Sequence, residues 1–304
     1  MSEKPKFFEH EENRLGDTPM AEKLDNQENG PMGGEYLVTL EGDFTYAREY
    51  QHPKTGQTIK LIGMSHYGDK EYMEQVADIL KECDLVIYEG PFGPPTEAGE
   101  LEEKEKQKEI DKNLFGANLD EAFRGALSVY EAEILKYLPH INERYFFDET
   151  QPNWIGGETK WWKKDQSPEG PKELENKIHE EIARIPDEYK LEYVTLVRKK
   201  VEHIRRRHGV TAQDVFEFFK IAGGKYFQKE NKIFNDMVDR LNKERHLELE
   251  QTLDRVLSER NPKMLGIKYG AYHTAWLRPR IEARGFVLKN SMPLKVTSFD
   301  KLDE

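Results

Sequence analysis

Apolar and polar positions alternate with period two from Tyr36 onward: Tyr36, Val38 and Leu40, then Phe44 and Tyr46. This is the spacing of half-buried strands. Ile59 and Leu61 resume it after the turn-rich His52-Pro53-Lys54-Thr55-Gly56, so the stretch predicts a β-hairpin whose second strand is Thr58-Ile59-Lys60-Leu61-Ile62. That strand runs into Gly63-Met64-Ser65-His66-Tyr67-Gly68. Asp69 then stands where an N-cap is expected, and Met73, Val76, Ala77 and Leu80 fall on one face of a helix ending near Cys83. Leu85-Val86-Ile87-Tyr88 is a short apolar run typical of a buried parallel strand, closed by Glu89-Gly90-Pro91. The order strand, turn, helix, strand is that of a βαβ crossover.

Residues 93–112 are a Gly/Pro turn followed by Glu/Lys-rich sequence, read as solvated. From Leu114 to about Asn261 the periodicity is mainly helical, with helices expected at 117–138, 171–185, 187–207, 211–222 and 229–258. Thr211-Ala212-Gln213-Asp214 has the form of a capping box. Between the first two helices lies an aromatic, turn-rich segment with Tyr145, Phe146, Phe147, Trp154, Trp161 and Trp162, expected to pack over the sheet edge, with a lid as the alternative. The chain closes with a strand Met264-Leu265-Gly266-Ile267-Lys268-Tyr269, then Gly270-Ala271-Tyr272-His273, a helix carrying Trp276, Leu277 and Ile281 and stopped at Gly285, and two strands, Phe286-Val287-Leu288 and Leu294 to Phe299. The expected fold class is α/β: a central mixed sheet built from two strand-Gly-x-x-His-helix-strand pseudo-repeats, with a large helical insert at about 114–261.

Composition narrows the function classes. Residues 1–35 mix charges with Gly, Pro and Asn without periodicity and read as a flexible polar tail, leaving 36–304 as one domain. With 34% charged and 37% hydrophobic residues, the chain should fold behind a highly charged surface. No run approaches the length of a membrane span and the first residues lack an apolar signal core, so a cytoplasmic location is expected. A net charge of −12 makes general nucleic-acid binding an unfavoured reading. The basic run Arg198-Lys199-Lys200 and Arg205-Arg206-Arg207-His208 reads as the solvated side of a helix whose apolar face is Leu191, Val194, Val201 and Ile204. His140, His179 and His246 read as exposed, and Glu244, Glu248 and Glu250 as helix-surface charges. Cys83 is the single cysteine, so any metal must use His and carboxylate ligands.

Those ligands have a place to come from. Gly-x-x-His occurs at Gly63 to His66 and again at Gly270 to His273, each time at the C-terminal end of an expected strand and before a helix. Open α/β sheets place their ligand sites there, and a glycine allows a sharp turn and leaves room beside the sheet. Glu89 ends the strand after the first motif, so it projects into the same crevice if the two strands are neighbours. Two imidazoles and a carboxylate can bind a divalent metal that activates water. They can also act without metal, with Glu89 or one histidine as general base and the other histidine as acid or oxyanion donor, or hold an anionic or haem-like ligand.

The strings Leu61-Ile62-Gly63-Met64-Ser65-His66, Val86-Ile87-Tyr88-Glu89 and Gly270-Ala271-Tyr272-His273 resemble the TraB/PrgY and GumN group within the Tiki and erythromycin-esterase superfamily. The resemblance spans about residues 37–300, with motif matches at its two ends. It implies a hydrolase of amide (peptide) or ester bonds with His66, Glu89 and His273 as its catalytic residues, Gly63 and Gly270 as the turn glycines, and one divalent ion (Mn, Co or Zn) on His66, His273 and Glu89 in a metal-dependent member. Relatives often carry Glu-Arg-Asn near the start of a long helix. This chain has Lys229-Glu230-Asn231, keeping Asn231 as a substrate-side candidate and placing an acid where the arginine stands. The implied partner is a peptide or small molecule, with a homo-oligomer compatible. The rival expectation is a non-catalytic protein that sequesters such a ligand on the same scaffold.

Overall fold

The computed structural model describes residues 36–39, 42–90, 112, 114–116, 118–138, 140–143, 146–158, 170–222, 231–299 and 302. The expected tail, most of the Glu/Lys-rich stretch after Gly93, Tyr145, Trp161, Trp162 and Glu230 lie outside these. The fold is mixed α/β. In chain order come β1 (Tyr36–Thr39), β2 (Gly42–Gln51), β3 (Thr58–Met64), β4 (Tyr67–Gly68), α1 (Lys70–Lys81) and β5 (Leu85–Tyr88). Next are α2 (Leu119–Leu135), β6 (Ile141–Asn142), β7 (Trp154–Gly156), α3 (Gly170–Ala183), α4 (Asp187–Arg207), α5 (Ala212–Ala222) and α6 (Asn231–Arg255), which runs into a π-turn at Val256–Arg260. The chain ends with β8 (Met264–Gly270), α7 (Ala271–Ala283) and β9 (Val287–Ser298).

The main sheet follows the order β1-β2-β3-β8-β5-β7, with β9 also on β2. The expected hairpin is present, Gln51 pairing Thr58 antiparallel. β3, β8, β5 and β7 are mutually parallel. Two expectations change. The aromatic segment does more than cover the edge: Trp154–Gly156 joins the sheet as a strand beside β5. The two C-terminal strands are one, because β9 stays paired with β2 from Val287 to Ser298, absorbing the interruption as register shifts.

Strand alternation divides the core. Leu61, Ile87, Ile267 and Tyr269 face Leu249, Leu253 and Val256 of α6 and its π-turn and Leu277 and Ile281 of α7. Ile62, Met64 and Val86 face Tyr72, Met73, Val76 and Leu80 of α1. A third cluster joins α2 to α5 through residues such as Ala126, Tyr130, Val197 and Val215. The stripe on α4 is Tyr193, Val194, Val197, Val201 and Ile204. Leu191 falls outside it and is 56% exposed, a correction that helical geometry explains, since 191 and 194 straddle the stripe's edge. The basic run on α4 is committed locally: Arg205 Nε bonds Glu133 at 2.6 Å, Arg198 Nε the Leu114 carbonyl at 2.6 Å, and Arg207 pairs with Asp214. Asp214 also accepts from Thr211 N at 2.9 Å and Asp214 N donates to Thr211 Oγ1 at 3.3 Å, which is the expected capping box. Asp69 occupies the N-cap position of α1 without a side-chain cap; its carboxylate instead accepts from Ser298 N at 3.1 Å, tying α1 to the end of β9. Among the described residues no helix is long and apolar enough to cross a membrane.

Candidate functional site

β8 lies between β3 and β5, so the residues following three parallel strands meet at one edge of the sheet. His66 follows β3, Glu89 follows β5, and β8 passes directly into α7 at Gly270, which brings His273 into the first turn of that helix. Gly270 is where they converge. A Cβ there would lie 3.1 Å from Glu89 Oε2, 3.6 Å from His273 Cδ2 and 3.8 Å from His66 Nε2. The glycine's φ is −49°, and Gly63 is not among the glycines with positive φ either. Neither glycine stands in the left-handed region, and each leaves room where its Cβ would be. At Gly63 that room admits α7, a Cβ there coming within 3.1 Å of Thr274 Oγ1.

Each expected residue is held by a partner that sequence reasoning did not supply. His66 Nδ1 lies 2.5 Å from Glu143 Oε1, and the buried Lys268 Nζ pairs with Glu143 Oε2 at 2.8 Å. The small ladder β4–β6 delivers Glu143, whose N–H donates to the His66 carbonyl at 3.0 Å. Glu89 Oε2 accepts from Gly270 N at 2.7 Å and Oε1 from Arg245 at 2.7 Å. Arg245 also reaches Glu158 Oε1 at 2.5 Å, and Glu158 accepts the Tyr269 hydroxyl. His273 Nε2 is 3.3 Å from Glu89 Oε1, and its Nδ1 is 2.8 Å from His246 Nε2. Expected to be exposed, His246 is only 3% exposed; its ring stacks on Trp276 at 4.2 Å. It shares with Leu249, Leu253 and Val256 the face of α6 that meets the sheet, and Arg245 follows it to the strand ends.

Electrostatics follow from these contacts. Burial alone would raise the Glu89 carboxyl, but the His273 contact, with His66 and Arg245, holds it well below 4.5. Burial likewise opposes ionisation of Glu143, and Lys268 and His66 outweigh it. Crowding disfavours the His66 imidazolium, yet the Glu143 contact raises its pKa above 6.5. The ring is 46% exposed, so solvent screens the pair. Glu158 is pushed up, by burial first and by Glu89 beside it, against the pull of Arg245. Burial, with His273 and Arg245 adding, drives His246 down to about 3, so this ring is neutral. Beside His66 lies a cavity of about 60 Å³ lined by Asp43, Ser65, Tyr67, Glu131, Ile134 and Phe218, room for a few water-sized groups of a ligand.

Two of the three donors expected for a metal, Glu89 and His273, are engaged with protein partners. Glu89 has Gly270 and Arg245 on its two oxygens, and His273 has His246 and Glu89 on its two nitrogens. No group of three or more His, Cys, Asp or Glu among the described residues is arranged to hold a metal ion. With those donor atoms turned to protein partners, Glu89 and His273 do not fit the implied ion as placed.

Asn231 begins α6, and its side chain lies outside what the structure describes. An arginine reaches the carboxylates from further along the same helix, Arg245 in the string Glu244-Arg245-His246. For Lys268 the signal was a lysine inside an otherwise apolar strand, since a buried charge requires a partner. Glu143 and Glu158 had none, because their roles depend on the β4–β6 and β5–β7 pairings. No protein-family model, curated protein or solved structure matches this chain.

Proposed function

We propose that the crevice at the ends of β3, β8 and β5 hydrolyses an amide or ester bond by general acid–base catalysis. The observation that carries this reading is the approach of His66 Nε2, Glu89 Oε2 and the His273 ring to within 3.8 Å of one point over Gly270. Glu143, anchored by Lys268, orients His66 through Nδ1 and leaves Nε2 as the nitrogen that takes a proton from water. The water oxygen bonds to the substrate carbonyl carbon, and the Arg245 guanidinium offsets the negative charge that develops on the carbonyl oxygen. As the carbon–nitrogen or carbon–oxygen bond breaks, the leaving group departs with the proton that His66 Nε2 took from the water, which returns His66 to its neutral form. The His273 Nε2–H, facing Glu89 Oε1 at 3.3 Å, donates to the developing oxyanion beside Arg245. The resemblance to the TraB/PrgY and GumN group supports the same residues; the two pseudo-repeats would be β3 with α1 and β8 with α7.

A second reading is binding without turnover, favoured by the engagement of both Glu89 oxygens with protein donors. The two are separated by screening the full chain against peptide and ester panels, with chelator and then with added Mn, Co or Zn, beside the double variant His66→Ala, His273→Ala. The proposal expects hydrolysis in the wild type, retained in chelator and lost in the double variant. Equal rates in both proteins overturn it; ligand binding with no turnover in any condition favours sequestration; activity that appears only with added metal restores the metal-dependent form.

A further inference from the structure

His246 has no assigned role in the chemistry above, yet its Nε2 lies 2.8 Å from His273 Nδ1. Two imidazole nitrogens at this distance share one proton, so one donates and the other accepts. The direction follows from the far side of His273. Glu89 takes Gly270 N and Arg245 on its two oxygens and acts as an acceptor, so the nitrogen facing it at 3.3 Å, His273 Nε2, carries a proton. As the neutral N–H donor of the proposed reaction, His273 has no second ring proton, which leaves Nδ1 as the acceptor. We propose that His246 is a positioning residue for His273: its Nε2–H donates to His273 Nδ1 and fixes His273 as the Nε2–H tautomer, with the proton aimed at Glu89 and the crevice. The inference rests on reading His273 as the hydrogen-bond donor to the oxyanion of the proposed reaction.

The surroundings of His246 suit that task. Trp276 stacks on the ring at 4.2 Å with 19° between planes, Tyr272 lies at 5.9 Å and 24°, and the His273 ring stands at 83° to it. Trp276 and Tyr272 come from α7, the helix that carries His273, so the donor and the ring it orients are fixed to one element. Arg280 lies over the outer part of the same stack, 3.5 Å from the Trp276 centroid, and with Arg245 disfavours a charged His246. A neutral imidazole has a single N–H to give, so donation to His273 is an either/or tautomer choice rather than a shared one.

The test is nitrogen-15 NMR on histidine-labelled full-length chain, with the His273 signals identified by their loss in His273→Gln. The expected wild-type result is a neutral His273 with its proton on Nε2. His246→Phe keeps the ring stack and removes the donor, so it should convert His273 to a mixture of tautomers, while His246→Gln, whose amide nitrogen falls near the same place, should restore the wild-type form. If the site is hydrolytic, kcat falls about 10- to 100-fold in His246→Phe with KM unchanged, as for other orienting partners of functional histidines. A wild-type His273 protonated on Nδ1 alone, or on both nitrogens, overturns the proposal even if the variants do not fold, and so does a His273 tautomer unchanged in His246→Phe. The spectra need no turnover, so absence of hydrolysis with the expected tautomer would count against the reaction and leave the positioning role standing.

Discussion

Gly157→Ala offers the sharpest test of how this sheet edge is packed. A Cβ at position 157 would overlap the Tyr269 hydroxyl oxygen and lie 2.7 Å from Tyr269 Cζ and 3.0 Å from Leu249 Cδ1. Tyr269 is 1% exposed and cannot swing outward; its hydroxyl donates to Glu158, which is itself buried beside Glu89 and Arg245. Overpacking of this kind costs about 1–3 kcal/mol, and dislodging a donor from a buried carboxylate adds about 1–3 kcal/mol. A total of about 3 kcal/mol corresponds to a fall of roughly 6–12 °C in Tm for a chain of this size. The assay is thermal unfolding of wild type, Gly157→Ala, Tyr269→Phe and the double variant, with Gly209→Ala as a control, since a Cβ there meets nothing within 4 Å. Removing the Tyr269 oxygen removes the worst overlap, so alanine at 157 should cost about 1 kcal/mol less in the Tyr269→Phe background. Strict additivity in this cycle, or a Gly157→Ala protein as stable as the Gly209→Ala control, would refute the packing argument.

Two further outcomes follow from the same geometry. Gly270→Ala keeps an ordinary backbone at φ −49° and should change stability by no more than about 1 kcal/mol. Its methyl would occupy the point shared by Glu89, His273 and His66, so kcat/KM on any substrate found should fall at least about 100-fold; a fully active, folded variant would show that the reaction occurs elsewhere. Asp214→Asn removes the charge that accepts from Thr211 N and pairs with Arg207, at a cost of about 1–2 kcal/mol near pH 7. Burial opposes ionisation of Asp214, but the Thr211 and Arg207 contacts lower its folded pKa below 3.8, so its contribution is present above that value and lost as pH falls through the folded pKa. Denaturant titrations of both proteins should show the gap closing on acidification, and a gap independent of pH would remove the charge from the account.

Some of this protein was legible in the order of its residues because the physics concerned is local. Period-two and helical spacing follow from backbone geometry, so the β2–β3 hairpin, the buried runs of β5 and β8, the helices from Leu119 to Arg255 and the Thr211–Asp214 cap could be read from neighbours in the chain. The two Gly-x-x-His strings and Glu89 were legible for the same reason, each standing where an apolar run stops. Tertiary pairing decided the rest. Placing β8 between β3 and β5 made Gly270 the point where His66, Glu89 and His273 meet, in the space the glycine leaves. Pairing β4 with β6 and β5 with β7 brought Glu143 and Glu158 to the site from a segment with no periodicity of its own. The alternation of β8 turned Lys268 inward towards Glu143, and packing of α6 on the sheet buried Arg245 and His246, which looked in sequence like residues of a charged helix surface. Polar residues needed to satisfy buried charge are selected by what lies across the fold, and sequence spacing carries no record of that distance.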